Sequence, residues 1–138
     1  MKTRVETRAR SRALQALYAW DLRPGADLLK IAATVWDDLG VAPEERQVAS
    51  QIIRELAKHG KEIDAVLVQV TENWRLERLG VIERCVLRLA AAEFHQEVTP
   101  PRVVIQEGVR LAERYGSEQS ARFVNGVLDA LARRMGRL

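Results

Sequence analysis

Residues 81–94, VIERCVLRLAAAEF, limit the possible fold more than any other stretch of the chain. Ten of these fourteen residues are apolar, and they spread beyond the single stripe of a surface helix. A helix apolar over most of its circumference needs other helices on several sides. Its few charges include Arg84 and Arg88 at i and i+4, which share one narrow strip of the helix surface. That strip reads as a solvated seam or as a surface that meets an acidic partner.

The flanking segments supply suitable neighbours. A first helix is expected over about 3–21, where Ala9, Ala13, Ala16, Leu17 and Trp20 fall on one side. Arg23-Pro24-Gly25 breaks it, and Asp27 is placed to cap a second helix ending at Gly40. Pro43 opens a third, with Glu44 and Glu45 in its first turn and Gly60 as its stop. A fourth carries Ile63, Val66, Leu67 and Val70 to about Asn73, and a polar corner leads to Gly80 and the central helix. Thr99-Pro100-Pro101 ends that helix, because a residue before proline disfavours helical geometry. A sixth helix runs to Tyr115-Gly116, and Ser117 or Ser120 can cap a seventh holding Phe123, Val124, Val127, Leu128 and Leu131. No segment alternates as a strand would. The fold class is therefore all-α, about seven helices in one domain spanning 1–138. At that length the chain can bury roughly two-thirds of its unfolded surface.

The first helix carries the most distinctive chemistry. Arg4, Arg8 and Arg12 recur at i, i+4 and i+8 on its outer face, extended by Gln15 and Tyr18, while Arg10 flanks the apolar side and can point either way. Three like charges on one stripe weaken an isolated helix by a few tenths of a kcal/mol, roughly, per pair. A solvated face normally mixes signs. The unmixed stripe points to phosphate, for which the planar guanidinium fork is well suited.

The net charge is only +3, but Lys2, Arg4, Arg8, Arg10 and Arg12 cluster at one end and Arg133, Arg134 and Arg137 at the other. Such clustering suits a polyanion such as nucleic acid, or an anionic membrane surface. The single cysteine, Cys85, rules out an internal disulfide and fits a reducing, cytoplasmic setting. No secretory signal follows the basic start, and Arg88 interrupts the longest apolar run, so no membrane span is expected. A peripheral membrane role is the least expected, because the side of the first helix opposite its basic face is rich in alanine and too modest for stable insertion.

Catalytic patterns are missing. His59 and His95 are far apart in sequence and lack Cys or His neighbours at metal-ligand spacing, so no metal is expected. The glycines are scattered as helix stops rather than gathered into a phosphate loop, and Gly116-Ser117 lacks the second glycine of a nucleophile elbow. The expectation is a binding protein without cofactor, not an enzyme.

Three stretches, in order, carry a family resemblance. They are Arg8-Ala9-Arg10 followed by ALQALYAW at 13–20; RCVLRLA at 84–90 with Glu93-Phe94; and AERYG at 112–116 followed by Ser120 and FVNGVLD at 123–129. Together they resemble the NusB family of bacterial transcription antitermination factors. The resemblance implies one bundle of two helical subdomains. It also implies binding of the single-stranded boxA element of ribosomal RNA leaders, jointly with the ribosomal protein NusE, within an RNA polymerase antitermination complex that reads through terminators.

Residue by residue, the resemblance assigns Arg8 and Arg10 to an arginine-rich RNA-binding motif and Tyr18 to base stacking. Tyr115 and Arg122 extend the RNA surface, and Gln119 stands where an acidic residue is common. On the other face, Glu77, Glu83 and Arg84 match the corner and helix start where NusE docks. Asn125 is better explained structurally, its side chain satisfying backbone groups near the helix start, and Gly126 is expected to permit close helix approach. Glu6 and Thr7 stand where many members continue the arginine run, which implies weaker binding of RNA by the chain alone. Two other readings compete: a helical homodimer whose seams serve only assembly, and a domain related to the one that guides a ribosomal-RNA cytosine methyltransferase. The second is less expected because a long catalytic domain follows in that enzyme and this chain ends at Leu138.

Overall fold

The computed structural model describes residues 4–71 and 78–138. Among these described residues six helices follow in order: α1 (Arg4–Asp21), α2 (Leu28–Leu39), α3 (Pro43–Val70), α4 (Val81–Gln96), α5 (Pro101–Tyr115) and α6 (Glu118–Arg134). Helices α1, α2 and α3 pack on one another, as do α4, α5 and α6, and the two groups meet chiefly where α4 lies against α3 and α1. The all-α expectation holds. No helix among the described residues is long and apolar enough to cross a membrane.

The central helix behaves as its composition demands. Cys85, Val86, Leu87, Leu89, Ala90, Ala91, Ala92 and Phe94 of α4 are all buried in one continuous core. Burying each large side chain contributes about 1.5–3 kcal/mol, so this one helix anchors the fold. Helix α1, which packs on both α3 and α4, buries its small residues Ala9, Ala13 and Ala16 completely.

Helix ends are set by local chemistry. The Asp27 carboxylate accepts from the Leu29 and Lys30 amides at 3.0 and 3.2 Å, the expected cap of α2. At its other end Gly40 is left-handed (φ 61°), with the Gly40 amide donating to Asp37 and the Val41 amide to Trp36. Of the two candidate serines, Ser117 caps α6, accepting from the Ser120 amide at 3.0 Å.

Three expectations change. Gly60 does not end a helix: the third and fourth expected segments run on as α3, bent at His59 (φ −118°, ψ 20°). The loop needed to separate them is absent, and their apolar residues continue one face. Second, Gly126 makes no close approach among the described residues, where a Cβ would meet nothing within 4 Å; at Gly108 a Cβ would stand 2.6 Å from Leu128 Cδ1. The close α5–α6 contact is therefore made at Gly108. Third, Asn125 lies exposed in the middle of α6, away from the backbone groups at the helix start. Asn73 and Glu77 lie outside the described residues.

Candidate nucleic-acid interface

The outer face of α1 carries Arg4, Arg8, Arg12, Gln15 and Tyr18 as the periodicity predicts, with Arg4, Arg8 and Tyr18 exposed and Arg12 and Gln15 half-buried. The stripe is not purely cationic in the folded protein. Glu45, from the first turn of α3, reaches it: Arg12 Nε donates to Glu45 Oε1 at 3.2 Å, and Arg8 Nη1 lies 3.8 Å from Glu45 Oε2. Arg12 also donates to Gln15 at 3.3 Å. The neighbouring helix thus supplies the sign alternation that α1 lacks. Arg8, with 58% of its side chain exposed, keeps its guanidinium in solvent.

Arg10 corrects the sequence expectation. It points inward, 5% exposed, and forms a two-pronged pair with Glu93 through Nε and Nη2 at 2.9 and 2.8 Å. Its Nη1 donates to Glu107 at 3.3 Å, and Glu107 also accepts from Thr7 and Arg110. Burial on its own disfavours the Arg10 charge, but the Glu93 hydrogen bond and the Glu93 and Glu107 charges outweigh it and raise the pKa. A guanidinium buried and paired in this way is withdrawn from the surface that a phosphate could reach. Thr7, a departure from the arginine run, serves the same network: its hydroxyl donates to Glu107 and its carbonyl accepts from Arg110.

Two aromatic positions expected from separate stretches come together. Tyr18 and Gln15 of α1, Ile82 of α4 and Tyr115 at the end of α5 line one cleft of about 390 Å³. Arg114 stands over the Tyr115 ring, 5.5 Å from its centroid. The sequence reading did not include Arg114; its only signal was a basic residue beside an aromatic at a helix end. An apolar floor between two rings with cations nearby can hold an unstacked base while arginines hold the backbone. Beyond it, Gln119 and Arg122 are exposed near the start of α6.

The proposed partner corner is altered. Glu83 accepts from Ser120 Oγ at 3.0 Å and lines a second cleft of about 290 Å³ with Gln119, Arg78 and Phe123. Glu83 and Gln119 therefore share one cleft and do not lie on opposite faces. Arg84 and Arg88 form no open strip. Arg84 grips Asp21 through Nε and Nη2 at 2.9 and 2.6 Å, and Arg88 bridges Asp21 and Asp64 at 3.0 Å each. The acidic partner of that seam is the chain's own α1 and α3. The Arg84 hydrogen bond holds the Asp21 carboxyl below the usual carboxylate range; partial burial opposes this, and the Arg84 and Arg88 charges reinforce it. Beside this cluster Cys85 is fully buried, and loss of solvation pushes its thiol up to about 12.

Fold and face define an all-helical protein with one cationic surface that ends in a cleft between two tyrosines. The chain belongs to the NusB family, whose model matches residues 7–133. The transcription antitermination protein NusB of Anaeromyxobacter dehalogenans is 42% identical over 134 residues, 94% of this chain and 92% of its own. That of Sorangium cellulosum is 40% identical over 130 residues, with the same coverage. Among solved structures, T. maritima NusB matches with a TM-score of 0.85 at 33% identity over 100% of both chains. A structure of antitermination factors NusB and NusE in complex with dsRNA matches at 0.83 and 31% identity, over 96% of this chain and 99% of the other.

Proposed function

We propose that this chain is a transcription antitermination factor that binds the boxA element of ribosomal RNA leaders together with the ribosomal protein NusE. It acts in the cytoplasm as part of an RNA polymerase complex that reads through terminators. The observation that carries the reading is the cleft between Tyr18 and Tyr115, continuous along α1 with exposed Arg8. Arginine supplies the phosphate attraction and the rings supply stacking. The first is salt-dependent and indifferent to sequence; the second requires unpaired bases. RNA contact is assigned to Arg4, Arg8, Arg12, Gln15, Tyr18, Arg114, Tyr115, Gln119 and Arg122. The partner is assigned to the cleft lined by Glu83 and Arg78, next to Gln119, so RNA and protein would adjoin rather than lie on opposite faces. Support for pairing the two ligands comes from the family and from the similar structure in which NusB is bound to NusE and RNA.

Fluorescence anisotropy with a boxA-like single strand and a scrambled strand, with and without the ribosomal protein, tests this. Preference for boxA that strengthens with the partner supports the assignment. Equal, steeply salt-dependent binding to both strands would reduce the face to a general polyanion surface.

A further inference from the structure

The two histidines, widely separated in sequence, are neighbours in space. The bend at His59 and the last turn of α4 bring His59 and His95 together with ring centroids 4.4 Å apart and planes tilted by 40°. Glu55, one turn before His59 on the same face of α3, reaches both: its Oε2 contacts His95 Nδ1 and lies 4.0 Å from His59 Nε2. Glu62 approaches from the other side, its Oε2 3.3 Å from His59 Nδ1 and 3.9 Å from His95 Nε2. Although close to Glu62, His59 Nδ1 is buried and completes no hydrogen bond among the described residues.

We propose that Glu55, His59 and His95 form a binding site for a divalent transition-metal ion of the zinc class, clamping the bend of α3 to the C-terminal turn of α4. One ligand atom from each residue lies within 4.8 Å of the others. Tetrahedral ligands at about 2.0–2.1 Å from zinc stand roughly 3.3 Å apart, so closure requires side-chain movements of about 1 Å. All three side chains are partly exposed, which permits the movement and leaves a coordination position for water. The donor set, two imidazoles and one carboxylate, suits zinc and its neighbours and is poor for calcium or magnesium, which prefer all-oxygen shells. Glu55 faces one nitrogen of each ring and Glu62 the opposite one. Glu62 thereby becomes the outer acceptor that fixes ring orientation in histidine–metal sites, and it provides the partner that His59 Nδ1 lacks.

The chain has only two histidines and one cysteine, and Cys85 is buried, so a histidine-dependent metal signal has a single source. Zinc titration of the untagged protein by calorimetry, with cobalt(II) absorption as a geometric readout, tests the site. The expected result is one ion per chain, visible cobalt bands and a zinc-dependent rise in Tm. His59→Gln and His95→Gln should each weaken zinc binding at least about tenfold while circular dichroism and RNA binding stay unchanged. Glu62→Gln should keep the stoichiometry and lose about 10–100-fold in affinity. Should either histidine variant misfold, zinc protection of the wild-type imidazoles from diethyl pyrocarbonate gives the same answer. Equal zinc affinity in wild type and the double histidine variant, or no protection from the reagent, would overturn the site and leave these side chains as a polar contact between α3 and α4.

Discussion

Two arginines two positions apart on α1 have opposite roles, and single substitutions separate them. Arg10→Ala leaves Glu93 and Glu107 buried without their shared cation. Breaking such a pair costs about 3–5 kcal/mol, so the variant should lose most of its stability in urea unfolding before any RNA is added. Arg8→Ala should keep wild-type Tm and weaken RNA binding with a shallower salt dependence, by about 0.7 in log–log slope for one phosphate on a single strand. Because Arg12 is engaged by Glu45 at 3.2 Å, adding Arg12→Ala to Arg8→Ala should change the slope by less than a second full phosphate. Glu45→Gln, which keeps the shape and removes the charge, should tighten RNA binding; weaker binding would show that Glu45 positions the arginines rather than screens them. At the cleft, Tyr18→Ala and Tyr115→Ala should each cost about 1–3 kcal/mol of RNA affinity, with Phe retaining most of it. The outward residues were legible because helical period alone assigns Arg4, Arg8, Arg12, Gln15 and Tyr18 to one face. Arg10 was not, since it sits at the boundary of that face, and its carboxylates lie on helices far away in sequence.

At the scale of elements, punctuation by proline and capping side chains was read well, and punctuation by glycine was read at Gly40 and Gly116 but not at Gly60. Asp27, Pro43, Pro101 and Ser117 begin helices for reasons contained in their own side chains. A glycine ends a helix only where its own backbone leaves helical geometry. Gly40 does so, at φ 61°, whereas Gly60 stays within α3. A Cβ at Gly60 would meet nothing within 4 Å. Gly60→Ala should therefore stabilise the fold by about 0.5–1 kcal/mol in chemical denaturation. A loss of similar size would mean that the bend at His59 extends into Gly60 and requires its freedom. Tyr115–Gly116 is the opposite case: a Cβ at Gly116 would stand 2.7 Å from the Ala112 carbonyl and 2.9 Å from Ser120 Oγ. That clash would disturb the α5–α6 corner on which Tyr115 depends.

For the whole molecule, the seam of Arg84 and Arg88 shows the limit of sequence reading most plainly. Spacing put both on one strip of α4, but only the packing of α1 and α3 against α4 reveals that Asp21 and Asp64 fill it. This ties the two helical groups together and gives stability a defined acid dependence. Asp21 has a depressed folded-state pKa, so its contribution is fully present above its unfolded value of 3.8 and is lost as pH falls through the lower folded value. Asp21→Asn should cost about 1.5–3 kcal/mol near neutrality and flatten the stability curve below about pH 4. The neighbouring thiol reports on the same interface. With Cys85 buried and its pKa near 12, a thiol reagent should label the folded protein only as fast as the α4 environment opens. Rapid labelling under native conditions would show that the two helical groups separate easily.

The division of labour along α1 also bears on what a fragment of this protein would do. A synthetic peptide copying α1 would release Arg10 from Glu93 and Glu107, and Arg8 and Arg12 from Glu45. Freed of those counter-charges, it would meet RNA as a denser cation than the intact face presents, with a steeper response to salt and no second tyrosine to sort one sequence from another. The peptide would be the stickier ligand and the poorer reader.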